Sequence, residues 1–119
     1  ANIGPVWQEA TRVLRQGGQL VAGFTKPVFY LFDQKKIEDG KLVVKNSIPY
    51  SELTGISKSE KAKYIAEQQP LCFGHSLGDQ IGGQIAAGLR IIGYYEDNWE
   101  AYAVGRYIAD MAATRAVKP

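Results

Sequence analysis

Hydrophobic positions recur along this chain at two periods, and the places where the period switches mark its elements. Val6, Trp7, Ala10, Val13 and Leu14 fall at helical spacing. That spacing stops at Gly17-Gly18, and glycine is the residue most easily accommodated in the left-handed position that ends a helix. A helix is predicted from Pro5 to about Gln16. Pro5 suits its first turn, where the missing N–H would be unpaired anyway. Gln19 to Phe24 is a short apolar run, which predicts a buried strand to about Thr25. Lys26-Pro27 ends it, because proline cannot donate to a ladder. Helix, tight turn and buried strand make half of a parallel α/β unit.

The pattern then changes. Val28 to Phe32 is strongly aromatic. Lys35 to Lys45 reads as a β-hairpin turning at Asp39-Gly40, since Asp-Gly tolerates the positive φ of a type I′ turn. Residues 28–70 read as an insertion after the first core strand, containing this hairpin and a helix. Ser57-Lys-Ser-Glu60 has capping-box spacing and starts a polar helix to about Gln69, ended by Pro70. Ser76 and Asp79 cap another helix, on which Leu77, Ile81, Ile85 and Leu89 form an apolar stripe. Gly78, Gly82 and Gly83 each cost ~1 kcal/mol against alanine inside a helix, so something must approach that backbone closely. Gly88 stops it. Arg90 to about Tyr95 reads as a strand. Asp97 or Asn98 then caps a last helix bearing Trp99, Tyr102, Ala103 and Tyr107, and Ala112 to Val117 closes as a strand.

Composition narrows the class. The chain of 119 residues gives one domain, and a net charge of +2 with 45% hydrophobic residues indicates no nucleic-acid or membrane partner. The single Cys72 fits a reducing compartment, and no apolar run approaches the ~20 residues of a membrane span; a cytoplasmic protein is expected. No His/Cys spacing suggests a metal site.

Three segments share a resemblance. Arg12-Val-Leu-Arg-Gln-Gly-Gly-Gln-Leu20 resembles the "RVLRPGG-L" segment of class I S-adenosylmethionine-dependent methyltransferases, with Gln16 in place of the usual proline. Gly74-His-Ser-Leu-Gly-Asp-Gln-Ile-Gly-Gly-Gln84 with Gly93-Tyr-Tyr-Glu-Asp97, and Ala113-Thr-Arg-Ala-Val-Lys118, resemble the C-terminal part of a bacterial branch of that family (methyltransferase type 11-like). The resemblance implies an α/β fold, the C-terminal portion of a Rossmann-like sheet. Its strands would correspond to the fifth, sixth and seventh, the last two forming an antiparallel pair at one edge. The family's glycine-rich cofactor loop, and the acidic residue that follows it, are not in this sequence. The chain therefore reads as the acceptor-side part of a longer enzyme that uses S-adenosylmethionine. This part alone is expected to be inactive and not to bind the cofactor, and the sequence names no cofactor-binding residue. A non-catalytic α/β module for ligand binding or dimerisation is the alternative. The resemblance also places a fourth strand, absent here, beside Gln19 to Thr25. The bared edge leads us to expect a homodimer.

Candidate chemistry follows from position. In open α/β sheets, ligands sit outside the C-terminal strand ends, here Phe24, Thr25 and Lys26; the resemblance implies that this corner faces the methyl acceptor. His75, the single histidine, stands before a capped helix and is the candidate catalytic base, or else a helix-entry residue. Gln80 and Gln84 are placed on the helix side away from the Leu77/Ile81 stripe, available to substrate, solvent or a loop. Tyr30, with Phe29 and Phe32, could wall a substrate pocket or belong to a core. The acceptor itself is not legible.

Overall fold

A computed structural model of the protein describes residues 2–51, 57–68 and 72–119. In chain order the elements are α1 (Gly4–Val13), β1 (Gln19–Thr25), a 3-10 turn (Pro27–Leu31), α2 (Gln34–Glu38), β2 (Tyr50–Ser51) and α3 (Lys58–Ala66). There follow β3 (Phe73–Gly74), a π-helical turn (Gly78–Gly82) continuing into α4 (Gly83–Ala86), β4 (Arg90–Asp97), a second 3-10 turn (Ala103–Arg106) and β5 (Met111–Val117). Among the described residues no helix is long and apolar enough to cross a membrane.

The last strand lies in the middle. The sheet order is β1-β5-β4, and β5 runs antiparallel to both neighbours. Leu20, Ala22 and Phe24 stand opposite Ala116, Thr114 and Ala112, so these six share one face. Ala112, Thr114 and Ala116 are buried on it. The other face is bare: Val21, opposite Arg115, is 69% exposed, and Tyr95, opposite Ala113, is 54% exposed. A bulge at Ile92 shifts the β4 register between Ile91 and Gly93. The antiparallel pair of the last two strands is as the resemblance implied.

Two helices cover the buried face, and their contact explains one helical glycine. The Trp7 ring lies on Gly83, where an added Cβ would come within 2.6 Å of the indole. Its Nε1–H donates to the Asp79 carbonyl at 3.1 Å. Gly82 has open space around it, and Gly78 meets only the Ser76 hydroxyl, so the close approach expected at three glycines occurs at one. The predicted stripe is only half kept: Leu89 is buried and Ile81 half-buried. Leu77 and Ile85 are exposed while Gln80 and Gln84 are buried. The reason is a polar bond: Gln84 is completely buried, its Oε1 accepts from the Thr114 hydroxyl at 3.0 Å, and its Nε2 donates to the Gln80 carbonyl at 3.1 Å. The π-helical turn also rotates residues out of the regular 3.6 phase.

Three further expectations are corrected. The first helix ends at Val13, not Gln16. Gly17 (φ 79°) instead shapes the entry to β1, donating to the Lys118 carbonyl at 2.7 Å, and the Lys118 amine donates to the Leu14 carbonyl at 2.8 Å. The hairpin at residues 35–45 is absent. Asp33 caps α2 by accepting from the Lys35 and Lys36 N–H groups, Ile37 buries at 3% exposure, and Gly40 (φ 75°) stops the helix. A single antiparallel bridge, Phe32 to Val44, returns the chain. The last helix, expected from residue 97 or 98, is only the 3-10 turn Ala103–Arg106. Ser57 and Ser76 do cap, accepting from the Glu60 and Asp79 N–H groups. The expected stop at Gln69-Pro70 lies outside the described residues.

Gly83→Ala is expected to cost about 1–3 kcal/mol through the collision with Trp7. Gly82→Ala, in helical backbone with open space, should instead add about 0.5–1 kcal/mol. Urea unfolding of the two variants checks the opposite signs; a common sign would refute the contact.

Candidate functional site

A cavity of about 360 Å³ opens at the C-terminal end of β1. Thr25 stands at its rim and the buried Ile37 lies under it. Phe29 and Tyr30 reach it from the first 3-10 turn, Trp99 and Tyr102 from the crossing between β4 and β5, and Tyr64 from α3. Four of these rings touch in series. Trp99 and Tyr102 meet edge-to-face at 4.7 Å and 83°, Tyr102 and Phe29 at 5.5 Å and 86°, and Phe29 and Tyr30 at 5.3 Å and 83°. Each such pair contributes about 0.5–1.5 kcal/mol beyond its buried area. Tyr50 stacks behind Tyr30 at 5.3 Å.

The backbone beneath these rings is held by buried polar groups. Asp110 is fully buried just before β5, and its Oδ1 accepts from the Trp99 N–H at 2.7 Å. Asn98 donates through Nδ2 to the Gly105 carbonyl at 2.8 Å. Gly105 has no room for a side chain, since a Cβ would meet the Trp99 carbonyl oxygen at 2.3 Å. On the other wall, Gln34 donates through Nε2 to the Phe29 and Phe32 carbonyls at 3.0 and 2.8 Å. Asn46 donates to the Tyr30 carbonyl at 3.1 Å.

Charge is distributed unevenly. Glu38 lines the aromatic cavity, and among the described residues it is the one charged group that does. An adjoining polar cavity of about 250 Å³ shares Glu38 and adds Asp33, Lys35, Lys45 and Glu60. There Lys35 pairs with Glu60 at 2.6 Å, linking α2 to α3. The hydrogen bond from Lys35 holds the Glu60 carboxyl below its usual range, and the same bond raises the Lys35 ammonium.

The structure unites some of the sequence-derived candidates and separates others. Thr25 and Tyr30 line the cavity together, with Phe29. Phe24 is half-buried on the covered sheet face opposite Ala112. The Lys26 amine is ion-paired with Glu96, and its side chain is 12% exposed. His75 follows β3, with its ring stacked on Phe73 at 6.3 Å, and is not among the lining residues. Gln84 bonds to the sheet and Gln80 is buried; neither lines the cavity. Sequence reasoning missed Trp99, Tyr102, Tyr64 and Glu38 as site residues. Trp99 and Tyr102 were legible as aromatics between two strands that end at this corner, but their spacing of three suggested a helix face.

The fold is that of the S-adenosylmethionine-dependent methyltransferases. An S-adenosylmethionine-dependent methyltransferase from Mesorhizobium loti superposes with a TM-score of 0.61 at 13% identity, covering 98% of this chain and 55% of its own. A Listeria monocytogenes protein assigned to the same class gives 0.61 and 13%, covering 100% and 55%. In sequence the chain is 46% identical over 117 residues to the uncharacterized methyltransferase YbaJ of Bacillus subtilis (strain 168), covering 98% of this chain and 46% of the relative. No protein-family model matches the chain. It is thus similar, in sequence and in fold, to part of a bacterial methyltransferase, and spans about half the length of the proteins it matches.

The Lys35–Glu60 link has a pH signature. A carboxyl whose folded pKa is depressed contributes above its unfolded value and loses that contribution as pH falls through the folded one. The NMR titration midpoint of Glu60 is expected below the ordinary 4.5, and Lys35→Met should return it toward 4.5. An unchanged midpoint in the variant would show that Lys35 is not the cause.

Proposed function

We propose that this chain forms the acceptor-side part of an S-adenosylmethionine-dependent methyltransferase and that the aromatic cavity receives the methyl acceptor. The observation that carries this is the cavity's place: about 360 Å³, at the C-terminal end of β1, walled by rings from three separate elements. Ligands of open α/β sheets sit at such strand ends, and pockets of this size and apolar character suit small molecules. Methyl transfer from a sulfonium is a displacement that asks mainly for alignment and a dry site. The walls here would orient the acceptor and keep water from it, and Thr25 and the tyrosine hydroxyls would supply polar contacts.

The described residues do not fit the cofactor. Each positive-φ glycine is already engaged in a turn: Gly17 bonds to Lys118, Gly40 to Ile37 and Gly88 to Ile85. None forms a strand-to-helix cradle whose amides converge on a ligand. The cofactor's chemistry is therefore assigned to the remainder of a full-length enzyme.

Two measurements test the reading. Calorimetric titration of this chain with S-adenosylmethionine should give no micromolar binding; such binding would locate a cofactor site within these residues. In a full-length methyltransferase that includes this segment, Tyr102→Ala should raise the acceptor KM at least about tenfold with cofactor affinity unchanged. His75→Ala, outside the lining, should have the smaller effect. Unchanged kinetics in Tyr102→Ala would refute the cavity's role, and a larger effect of His75→Ala would move the site to β3.

A further inference from the structure

The aromatic cavity has a shape and a charge that select a class of guest. Its rings are not parallel. Trp99, Tyr102, Phe29 and Tyr30 meet their neighbours at 83° to 86°. Parallel faces would clamp a flat ring between them. Here each ring packs edge-to-face on the next, so the lining offers aromatic surface without a flat, parallel-walled slot.

The charge points the same way. The chain carries 14 Lys and Arg residues, yet none lines this cavity, and Glu38 supplies the one formal charge among the described lining residues. Lys26, next to Thr25, is ion-paired with Glu96, and Lys35, in the adjoining cavity that shares Glu38, is paired with Glu60. The negative faces of Trp and Tyr rings attract cations within about 6 Å of their centroids, and organic ammonium groups are recognised by such aromatic cages. A carboxylate at the rim adds direct charge attraction. An anionic guest would meet the opposite: ring faces and a like charge.

We infer that the cavity binds an organic ammonium group, so that the acceptor is a small molecule anchored by a cationic nitrogen among Phe29, Tyr30, Trp99 and Tyr102 with Glu38 at the rim; that nitrogen has no lone pair, so the methyl goes to another, nucleophilic atom of the same molecule as the sulfonium S–CH3 bond breaks. The inference rests on the acceptor-site reading above. It goes further in naming the class of molecule. Trp99 and the buried Asp110 behind it fix the cage wall, because the Asp110–Trp99 bond sets where the loop between β4 and β5 runs.

The probe is choline, paired with its uncharged isostere 3,3-dimethylbutan-1-ol. Titration of the chain is followed by the indole N–H resonance of Trp99, with that of Trp7, packed on Gly83, as the internal reference. Choline is expected to move the Trp99 resonance saturably and to bind at least about tenfold tighter than the alcohol. Glu38→Gln, an exposed position, should weaken choline about fivefold and leave the alcohol unchanged. Trp99→Leu should abolish the preference, read from the shared tyrosine resonances after its spectrum has been matched to the folded parent. Equal or tighter binding of the alcohol would overturn the ammonium assignment and indicate an apolar acceptor. A response at Trp7 alone, or none at either indole, would also overturn it. If choline fails while Tyr102→Ala still raises the acceptor KM in the full-length enzyme, the acceptor site stands and only the ammonium class falls.

Discussion

One buried hydrogen bond sets the geometry of this chain: the Thr114 hydroxyl donating to Gln84. Both side chains are wholly removed from water, where a lost partner would cost about 1–3 kcal/mol. Thr114 sits on the middle strand, so the bond pins α4 over the centre of the sheet rather than over an edge. With Gln84 inward, Gly83 is turned toward α1, and the Trp7 ring can lie close against it. The two helices on the covered face are therefore located by one polar contact, and the apolar contacts take their places around it. The exposed residues of the same helix, Leu77 and Ile85, follow from that choice.

This is also why the sequence was only partly legible. The first strand, the glycine-marked turn before it and both serine caps could be read from local chemistry. Ser57 and Ser76 act on backbone groups within three residues of themselves, and Gly17 supplies a positive φ that its own sequence position announces. The orientation of α4 could not be read locally. Its apolar repeat pointed one way, and a bond to a residue thirty positions away decided the other. The hairpin failed for a related reason. Asp39-Gly40 serves a hairpin turn or a helix stop equally well, and Asp33, six residues earlier, made the helix the better use by capping its free amides. Of the site, the strand-end position of Thr25 and the aromatic run with Phe29 and Tyr30 were readable. Its other wall was not, because Trp99 and Tyr102 reach the cavity from an irregular loop whose path is dictated by Asp110 and Gly105.

Much of the cavity wall is thus built on small and buried groups outside regular structure. Four of its rings hang from two irregular segments, each tied down by side-chain amides or a carboxylate bonding to backbone: Gln34 and Asn46 on one side, Asp110 and Asn98 on the other. Loops positioned by a rigid scaffold are where binding surfaces commonly lie. Here the scaffold is the β1-β5 ladder, which ends at Thr25 and Met111 directly beneath the rings.

The clasp at the far end of that ladder reaches further than its size suggests. Lys118 exchanges backbone hydrogen bonds with Gly17 and Gly18, and its amine bonds to the Leu14 carbonyl at the end of α1. A residue that looks like a trailing end is the cap of the first helix, supplied from the opposite end of the chain. Trimming Lys118 and Pro119 in search of a tidier boundary would leave the sheet paired but release α1, and with it the indole that lies on Gly83. In this fold the first helix is finished only when the last strand has been laid down.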